Sequence, residues 1–205
     1  QIGQITFEQL QSLTTICAPT CGSCQFMGTA NTMCCFSEAI GMTLPGGALI
    51  PATYHERMRS AFSSGEMIVE LIGQDITSRK IITIEAIENA IIVLMAIGGS
   101  TNAVIHCCAL AHELGMSTQH ILDLFDKFSD VVPLVAKINP ASLEYDCEDL
   151  YKAGGIQAVM KIVRKYLHED ALTVSMQSVG KNLDEFVNPY PDNLEVIRTL
   201  KNPHC

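Results

Sequence analysis

The chain has 205 residues, of which 48% are hydrophobic and 17% charged, and its formal net charge is −9. This length allows one good core and part of a second domain. The acidic balance, without a cluster of Lys and Arg, excludes the electrostatic footprint of a nucleic-acid-binding protein. The longest apolar run, Ala90–Ile97, is too short to span a bilayer. We therefore expect a globular protein with neither nucleic-acid nor membrane partners.

The nine cysteines indicate the compartment in which the protein works. Their number is odd, and the adjacent pairs Cys34-Cys35 and Cys107-Cys108 suit helices better than disulfide bonds, which favours a reducing environment. No signal peptide opens the sequence, so we expect a cytoplasmic protein. Because the chain begins at Gln1 without Met and ends just after Asn202-Pro203, we also expect a piece of a longer protein.

Helical periodicity dominates the chain and predicts a mainly α-helical segment with a few short strands. The predicted helices, in chain order, are 7–16, 29–40, 54–72, 83–97, 102–114, 118–128, 147–153, 156–167 and 181–186. Thr29 and Thr118 are predicted helix caps, and Thr83 begins the helix that follows it. Strand-like sequences lie at 48–51, 131–135 and 172–174.

Three cysteines fall within eight residues just before the second predicted helix. Cys17, Cys21 and Cys24 have the spacing C-x3-C-x2-C on a loop of Pro, Thr, Gly and Ser, which are turn-forming residues. A thiolate near a helix N-terminus is favoured by the helix dipole and by unpaired N–H groups, and its lowered pKa promotes metal binding. Cys24 is therefore the best-placed soft ligand in the chain. The alternative interpretation is that all three are reduced, inert residues.

A second motif joins two apolar helices at Gly98-Gly99-Ser100-Thr101-Asn102. Both helices are predicted to be buried, which puts the N-terminus of the second in the interior, where Ser100 or Thr101 can partner its free N–H groups. One hypothesis makes this loop an anion site for a carboxylate or phosphate. The other makes it a tight turn between antiparallel helices, with no ligand.

Several segments, taken in order, resemble the dihydroxy-acid dehydratase and phosphogluconate dehydratase family. They are Cys-Gly-Ser-Cys-x4-Thr-Ala-Asn-Thr-Met at 21–33, Glu-Ala-Ile-Gly-Met-Thr-Leu-Pro-Gly at 38–46, Asn-Ala at 89–90, Ala96–His106, Glu-Asp-Leu at 148–150, Ala-Gly-Gly at 153–155, Val-Ile-Arg at 196–198 and Asn-Pro at 202–203. No one segment is specific, but together they cover the chain from Phe7 to Pro203.

The resemblance implies a hydro-lyase with an α/β fold that removes water from a 2,3-dihydroxy acid of branched-chain amino-acid biosynthesis and releases a 2-keto acid. The alternative substrate within the family is a sugar acid of the phosphogluconate, arabinonate or xylonate type. The family uses an iron–sulfur cluster, 2Fe-2S or 4Fe-4S, as the Lewis acid for the leaving hydroxyl, together with Mg²⁺. Residues 1–188 would belong to the N-terminal, cluster-binding domain of a homo-oligomer (dimer or tetramer), and 189–205 would be a linker toward a missing C-terminal domain.

Carried over residue by residue, the resemblance makes Cys24 a cluster ligand and places Gly98–Asn102 near the substrate pocket. Cys17 and Cys21 match only some family members and are not implied as ligands. The other cluster cysteines, the Cys-Asp-Lys stretch with Mg²⁺ ligands and the serine base have no counterpart in this sequence. We therefore expect no catalytic residue in this segment and no activity from it in isolation.

Two hypotheses from other classes compete with the dehydratase. The spacing of Cys17, Cys21 and Cys24 is that of radical S-adenosylmethionine enzymes, although Ser23 stands where those enzymes usually carry an aromatic residue, and no barrel pattern follows. A non-enzymatic zinc or interaction module would need a fourth ligand, for which only scattered candidates exist.

Overall fold

The computed structural model describes residues 5–16, 21–188 and 195–205, and within these ranges it consists of helices joined by loops. The helices are α1 (Phe7–Ile16), α2 (Thr29–Ala39), α3 (His55–Gly73), α4 (Ser78–Ile81), α5 (Ile84–Ile97), α6 (Asn102–Glu113), α7 (Thr118–Val131), α8 (Cys147–Lys152), α9 (Gly155–Val163) and α10 (Val179–Glu185), with a 3₁₀ turn at Arg164–Tyr166. The prediction of a mainly α-helical segment is confirmed.

In the described part of the chain, strand pairing is limited to two isolated antiparallel bridges, Ala136 with Ile197 and Leu172 with Ser178, and only Leu172 lies in a predicted strand. Residues 48 and 49 form a turn, so the extended stretch predicted at 48–51 is wrong. The strand predicted at 131–135 is also wrong, because Val131 ends α7 and the N–H groups of Val135 and Ala136 both donate to the Ala96 carbonyl, at 2.8 and 3.0 Å. This segment is therefore tied to the end of α5 rather than to a sheet.

Helix α5 is the centre of the core, as its apolar sequence predicts. Ala90, Ile91 and Ile92 are completely buried, and the helix packs against α2, α7 and α9. The Thr83 hydroxyl caps its start by accepting from the Ala86 N–H at 3.3 Å. Gly98 ends it in the left-handed conformation, with φ +62°, where a side chain would be strained.

Helix α6 differs from the prediction that it is buried. It packs through one stripe of small residues, Ala103, Cys107 and Ala111, while Ile105 is 68% exposed. Gly98, Thr101 and Asn102 are exposed as well. The N-terminus of α6 therefore lies at the surface, because a stripe of this width buries only one side of a helix.

Two predicted caps are also corrected. Ser117, rather than Thr118, caps α7 by accepting from the His120 N–H at 3.3 Å. The N-cap of α2 is Gly28, without a side-chain bond. The Thr29 hydroxyl instead accepts from the Asn102 side chain at 2.6 Å, and thereby joins α2 to the start of α6.

The periphery of the described chain consists of α1, which has no buried residue, and α3, which buries only Leu71. No helix in the described ranges is long and apolar enough to cross a membrane. At the C-terminal end, Val196 is completely buried, and the Arg198 N–H donates to the Val135 carbonyl at 2.8 Å. Residues 195–205 thus pack on the helical body, while the rest of the predicted linker, 189–194, lies outside the described residues.

Candidate functional site

A groove of about 520 Å³ lies between the cysteine loop, residues 21–25, and the segment 48–53. Cys21, Cys24 and Cys34 line it with exposed side chains. Cys147, at the start of α8, lines it as a buried residue. The structure therefore brings the predicted ligand Cys24 into a cavity of a size typical for small-molecule sites. Cys17 lies outside the described residues.

The cysteine loop is held to α2 by the side chain of Asn31, which is only 6% exposed. The Asn31 Nδ2 donates to the carbonyls of Cys24 and Phe26, at 2.6 and 2.9 Å. Its Oδ1 accepts from the Ser23 hydroxyl at 2.6 Å. Because a buried amide with unmet partners is costly, these bonds favour one loop conformation.

Two backbone bonds fix the same loop to the other side of the groove. The Cys147 N–H donates to the Gln25 carbonyl at 2.8 Å, and the Met27 N–H donates to the Asn139 carbonyl at 2.7 Å. Helix α8 is itself anchored by a capping box, in which Asp146 accepts from the backbone of Asp149 and the Asp149 side chain accepts from the backbone of Asp146. The loop that carries Cys24 thus spans two fixed helix ends.

The opposite wall of the groove depends on two charged side chains from the helices behind it. The Glu38 carboxylate, 4% exposed, accepts from the N–H groups of Gly46 and Ala48 at 2.8 and 2.7 Å and from Gln157 Nε2 at 2.7 Å. Burial raises the pKa of Glu38, against the opposing effect of these three donors. The half-buried Arg57 donates to the carbonyls of Gly47 and Ile50.

The cysteine loop and this wall meet at Gly22, whose φ is +91°. A Cβ atom at this position would lie 2.7 Å from the Cβ of Ala52. Both the left-handed conformation and the close approach therefore require glycine here. Both residues line the groove.

At the edge of the groove, Glu148 is already engaged by two neighbours. It accepts from the Tyr54 hydroxyl at 2.7 Å and pairs with Lys152 Nζ at 2.6 Å. The hydrogen bond from Lys152, followed by that from Tyr54, lowers the pKa of Glu148. This carboxylate is therefore ionised, and its neighbours reduce its availability to a cation.

The thiols of the described chain differ in their chemistry because they differ in burial. Desolvation raises the pKa of Cys147 and of Cys107 to about 12, and it raises the pKa of the fully buried Cys35 as well. These three remain neutral thiols at physiological pH. In the described ranges, no group of three or more His, Cys, Asp or Glu side chains could by itself hold a metal ion. Cys24 could therefore serve as one ligand among others supplied from elsewhere.

The loop Gly98–Asn102 does not line the groove. The Ser100 N–H donates to the Thr32 hydroxyl at 3.0 Å, and the Ser100 hydroxyl accepts from the Asn102 N–H at 3.3 Å. Ser100 thus partners an N–H group as predicted, and the loop docks on the first turn of α2 through Thr32. The anion site stays a prediction.

Sequence reasoning missed Asn31, Glu38 and Arg57 as residues that shape the site. Each binds backbone groups of a neighbouring loop. Asn31 and Glu38 stand in the segments that carry the resemblance, but those segments do not indicate these bonds. The available signal was the position of Asn31 and Glu38 on α2, where they share buried sides of the helix with Cys35 and Phe36.

Comparison with known proteins finds one family model and several relatives that match most of the chain. The family model for the dihydroxy-acid/6-phosphogluconate dehydratase N-terminal region matches residues 1–182. The chain is 48% identical to a dihydroxy-acid dehydratase of Caldicellulosiruptor saccharolyticus over 205 residues, 46% to one of Caldanaerobacter subterraneus over 204 residues, and 42% to one of Pyrococcus furiosus over 204 residues.

Each alignment covers 98% of this chain and 36% of the relative. The chain therefore spans about a third of the length of these curated relatives, and its match with the family model extends over most of its residues. The segments that suggested the resemblance, from the cysteine loop to Gly154-Gly155, fall within the matched range. The chain belongs to the dihydroxy-acid/6-phosphogluconate dehydratase family, as part of its N-terminal region.

Proposed function

We propose that the complete polypeptide carrying this chain dehydrates a 2,3-dihydroxy acid to a 2-keto acid, and that this chain supplies Cys24 as one ligand of an iron–sulfur cluster. The single observation that supports this role is the exposed Cys24 side chain, which faces a groove of about 520 Å³ from a loop anchored by Asn31. The relatives named dihydroxy-acid dehydratase support the choice of reaction.

The residues of the groove fit one edge of such a site. A soft thiolate suits iron–sulfur ligation, and Cys24 is accessible, whereas Cys147 is buried with a raised pKa. When bound, the cluster would supply a Lewis acid for the departing hydroxyl. Mg²⁺ prefers several oxygen ligands, and the Glu148 carboxylate is occupied by Tyr54 and Lys152. Most Mg²⁺ ligands would therefore come from outside this segment.

Arg57 suggests how the groove would favour its substrate. Arg57 lines the cavity, and its guanidinium donates to the carbonyls of Gly47 and Ile50. A fixed positive charge in a concave site raises the local concentration of an anion such as a carboxylate. This chain would thus attract and orient an acidic substrate, without supplying the base.

A sugar acid is the second candidate substrate, because the matching family model covers 6-phosphogluconate as well as dihydroxy acids. Membership in this family favours dehydration of a dihydroxy acid or of a sugar acid, and it disfavours both a radical enzyme and a zinc module. We also propose a homo-oligomer, a cytoplasmic location and a role in branched-chain amino-acid biosynthesis, in keeping with the resemblance of the sequence to this family.

The test uses the complete polypeptide, purified without oxygen and supplied with Mg²⁺. A branched-chain 2,3-dihydroxy acid and a phosphorylated sugar acid are offered separately, and the 2-keto acid is measured. We expect turnover of the dihydroxy acid that survives Cys21→Ser and is lost in Cys24→Ser, while the 205-residue chain in isolation shows none. Turnover by Cys24→Ser, or no keto acid from either substrate, would contradict the proposal.

A further inference from the structure

The Asn31 side chain forms hydrogen bonds with three residues in and beside the cysteine loop. Its Oδ1 accepts from the Ser23 hydroxyl at 2.6 Å, and its Nδ2 donates to the Cys24 carbonyl at 2.6 Å and to the Phe26 carbonyl at 2.9 Å. The exposed loop has few apolar contacts of its own, since residues 21–26 are all exposed. Besides the backbone bonds of Gln25 and Met27, this buried amide therefore supplies the side-chain bonds that hold the loop in its conformation.

The same amide also contacts the far side of the groove. Asn31 Nδ2 lies 3.2 Å from the Cys147 Sγ, and the Cys147 N–H holds the Gln25 carbonyl at 2.8 Å. Burial keeps Cys147 a neutral thiol, which can accept this bond weakly. One side chain on α2 thus connects the loop to the start of α8, so that two helices fix the position of this exposed loop.

We infer that Asn31 is the positioning residue for Cys24: by holding the Ser23 hydroxyl and the carbonyls of Cys24 and Phe26, Asn31 sets the direction in which the thiol enters the groove. This inference rests on the proposed function, in which Cys24 is a cluster ligand. Metal ligands need support from neighbouring hydrogen bonds to hold their geometry. Without the amide, the loop keeps its sequence and its thiol but loses its fixed orientation.

The competing explanation is that Asn31 merely stabilises the fold, and Asn89 supplies a matched control for it. Asn89 is a completely buried amide on α5 that also holds a distant loop. It donates to the His168 carbonyl at 3.0 Å and accepts from the His168 N–H at 2.7 Å. Asn31 lines the groove, whereas Asn89 lies away from it, so Asn89→Ala shows the effect of losing a buried amide without any change beside Cys24.

The experiment compares Asn31→Ala and Asn89→Ala in the complete polypeptide. In the cluster-free protein, iodoacetamide labelling is followed by peptide mass spectrometry, and the rate at Cys24 is divided by the rate at Cys34, an exposed thiol on α2. We expect this ratio to rise about fivefold or more in Asn31→Ala and to stay within about twofold in Asn89→Ala. After anaerobic reconstitution and reduction with dithionite, the electron paramagnetic resonance spectrum of the cluster should change or vanish in Asn31→Ala only.

An unchanged ratio together with an unchanged spectrum in Asn31→Ala would overturn the inference, as would equal changes in both variants. If Asn31→Ala does not fold, Ser23→Ala removes one of the loop's bonds to the amide and should raise the ratio by a smaller factor; no rise there would also overturn it. If the unsubstituted protein takes up no cluster, the proposed function fails, while the labelling ratio still decides whether Asn31 orients Cys24.

Discussion

Replacing Glu38 by Ala should destabilise the protein by about 3 kcal/mol, because the carboxylate is the acceptor for three donors behind the groove. The substitution leaves the N–H groups of Gly46 and Ala48 and the Nε2 of Gln157 without that partner. An unmet donor of this kind costs about 1–3 kcal/mol, so the low end for three gives about 3 kcal/mol. For a chain of this size, that corresponds to a fall of about 6–12 °C in Tm.

The assay is urea unfolding of the 205-residue chain, with Glu70→Ala as the control. Glu70 is exposed on α3, and its replacement should change the free energy of unfolding by less than about 0.5 kcal/mol. If Glu38→Ala is as stable as the control, the argument that buried acceptors hold the 46–48 segment is wrong. Should Glu38→Ala fail to fold, Gln157→Ala removes a single donor and should cost about 1 kcal/mol.

The raised pKa of Glu38 gives the same experiment a pH dependence. Because burial raises the pKa in the folded state above that in the unfolded state, the folded protein binds the proton more tightly. This contribution to stability is fully present below the usual glutamate pKa and is lost as the pH rises through the folded value. The stability difference between the unsubstituted chain and Glu38→Ala should therefore shrink as the pH is raised; a difference that grows would contradict this assignment.

Two further predictions concern the core and the buried thiols. Ile91→Ala in the completely buried centre of α5 should lower the free energy of unfolding by about 2–5 kcal/mol, whereas Ile105→Ala on the exposed side of α6 should change it by less than about 0.5 kcal/mol; equal urea midpoints would refute the assigned core. In labelling of the native protein at pH 8, Cys107, with its pKa raised to about 12, should react far more slowly than the exposed Cys34, and urea should abolish the difference. Equal native rates would show that Cys107 is not protected.

The helices were predictable from the sequence because their patterns are local. Continuous apolar residues located α5, and Thr83 marked its start. The extent of burial was less predictable: α6 has a similarly apolar sequence, yet Ile105 is 68% exposed, because its neighbours cover only one stripe. The strand prediction at 131–135 was wrong for a related reason. The Val135 N–H donates to the Ala96 carbonyl and the Leu134 N–H to the Cys205 carbonyl, and these long-range contacts cannot be seen in a local sequence pattern.

The residues of the site likewise include some that the sequence identified and some that it could not. Cys24 was identified from its cysteine-rich loop and from the resemblance of that loop to a family. Asn31 could not be identified as the anchor of the loop. Its partners are the Ser23 hydroxyl and the Phe26 carbonyl, which have no distinctive spacing in the sequence, and Cys147, which is 116 residues away. The Gly98–Asn102 loop is the opposite case: its motif is conspicuous in the sequence, yet the loop bonds to Thr32 and does not line the groove.

The central claim, that Cys24 is a cluster ligand, is tested most directly by iron and sulfide content and visible absorption of the complete polypeptide, purified without oxygen. Cys34→Ser is the matched control, because Cys34 is an exposed thiol that lines the same groove. Serine replaces a soft thiolate by a hard hydroxyl at either position. We predict that Cys24→Ser loses the iron, the sulfide and the absorption while Cys34→Ser keeps them. A full cluster in Cys24→Ser, or its loss in both variants alike, would contradict the account.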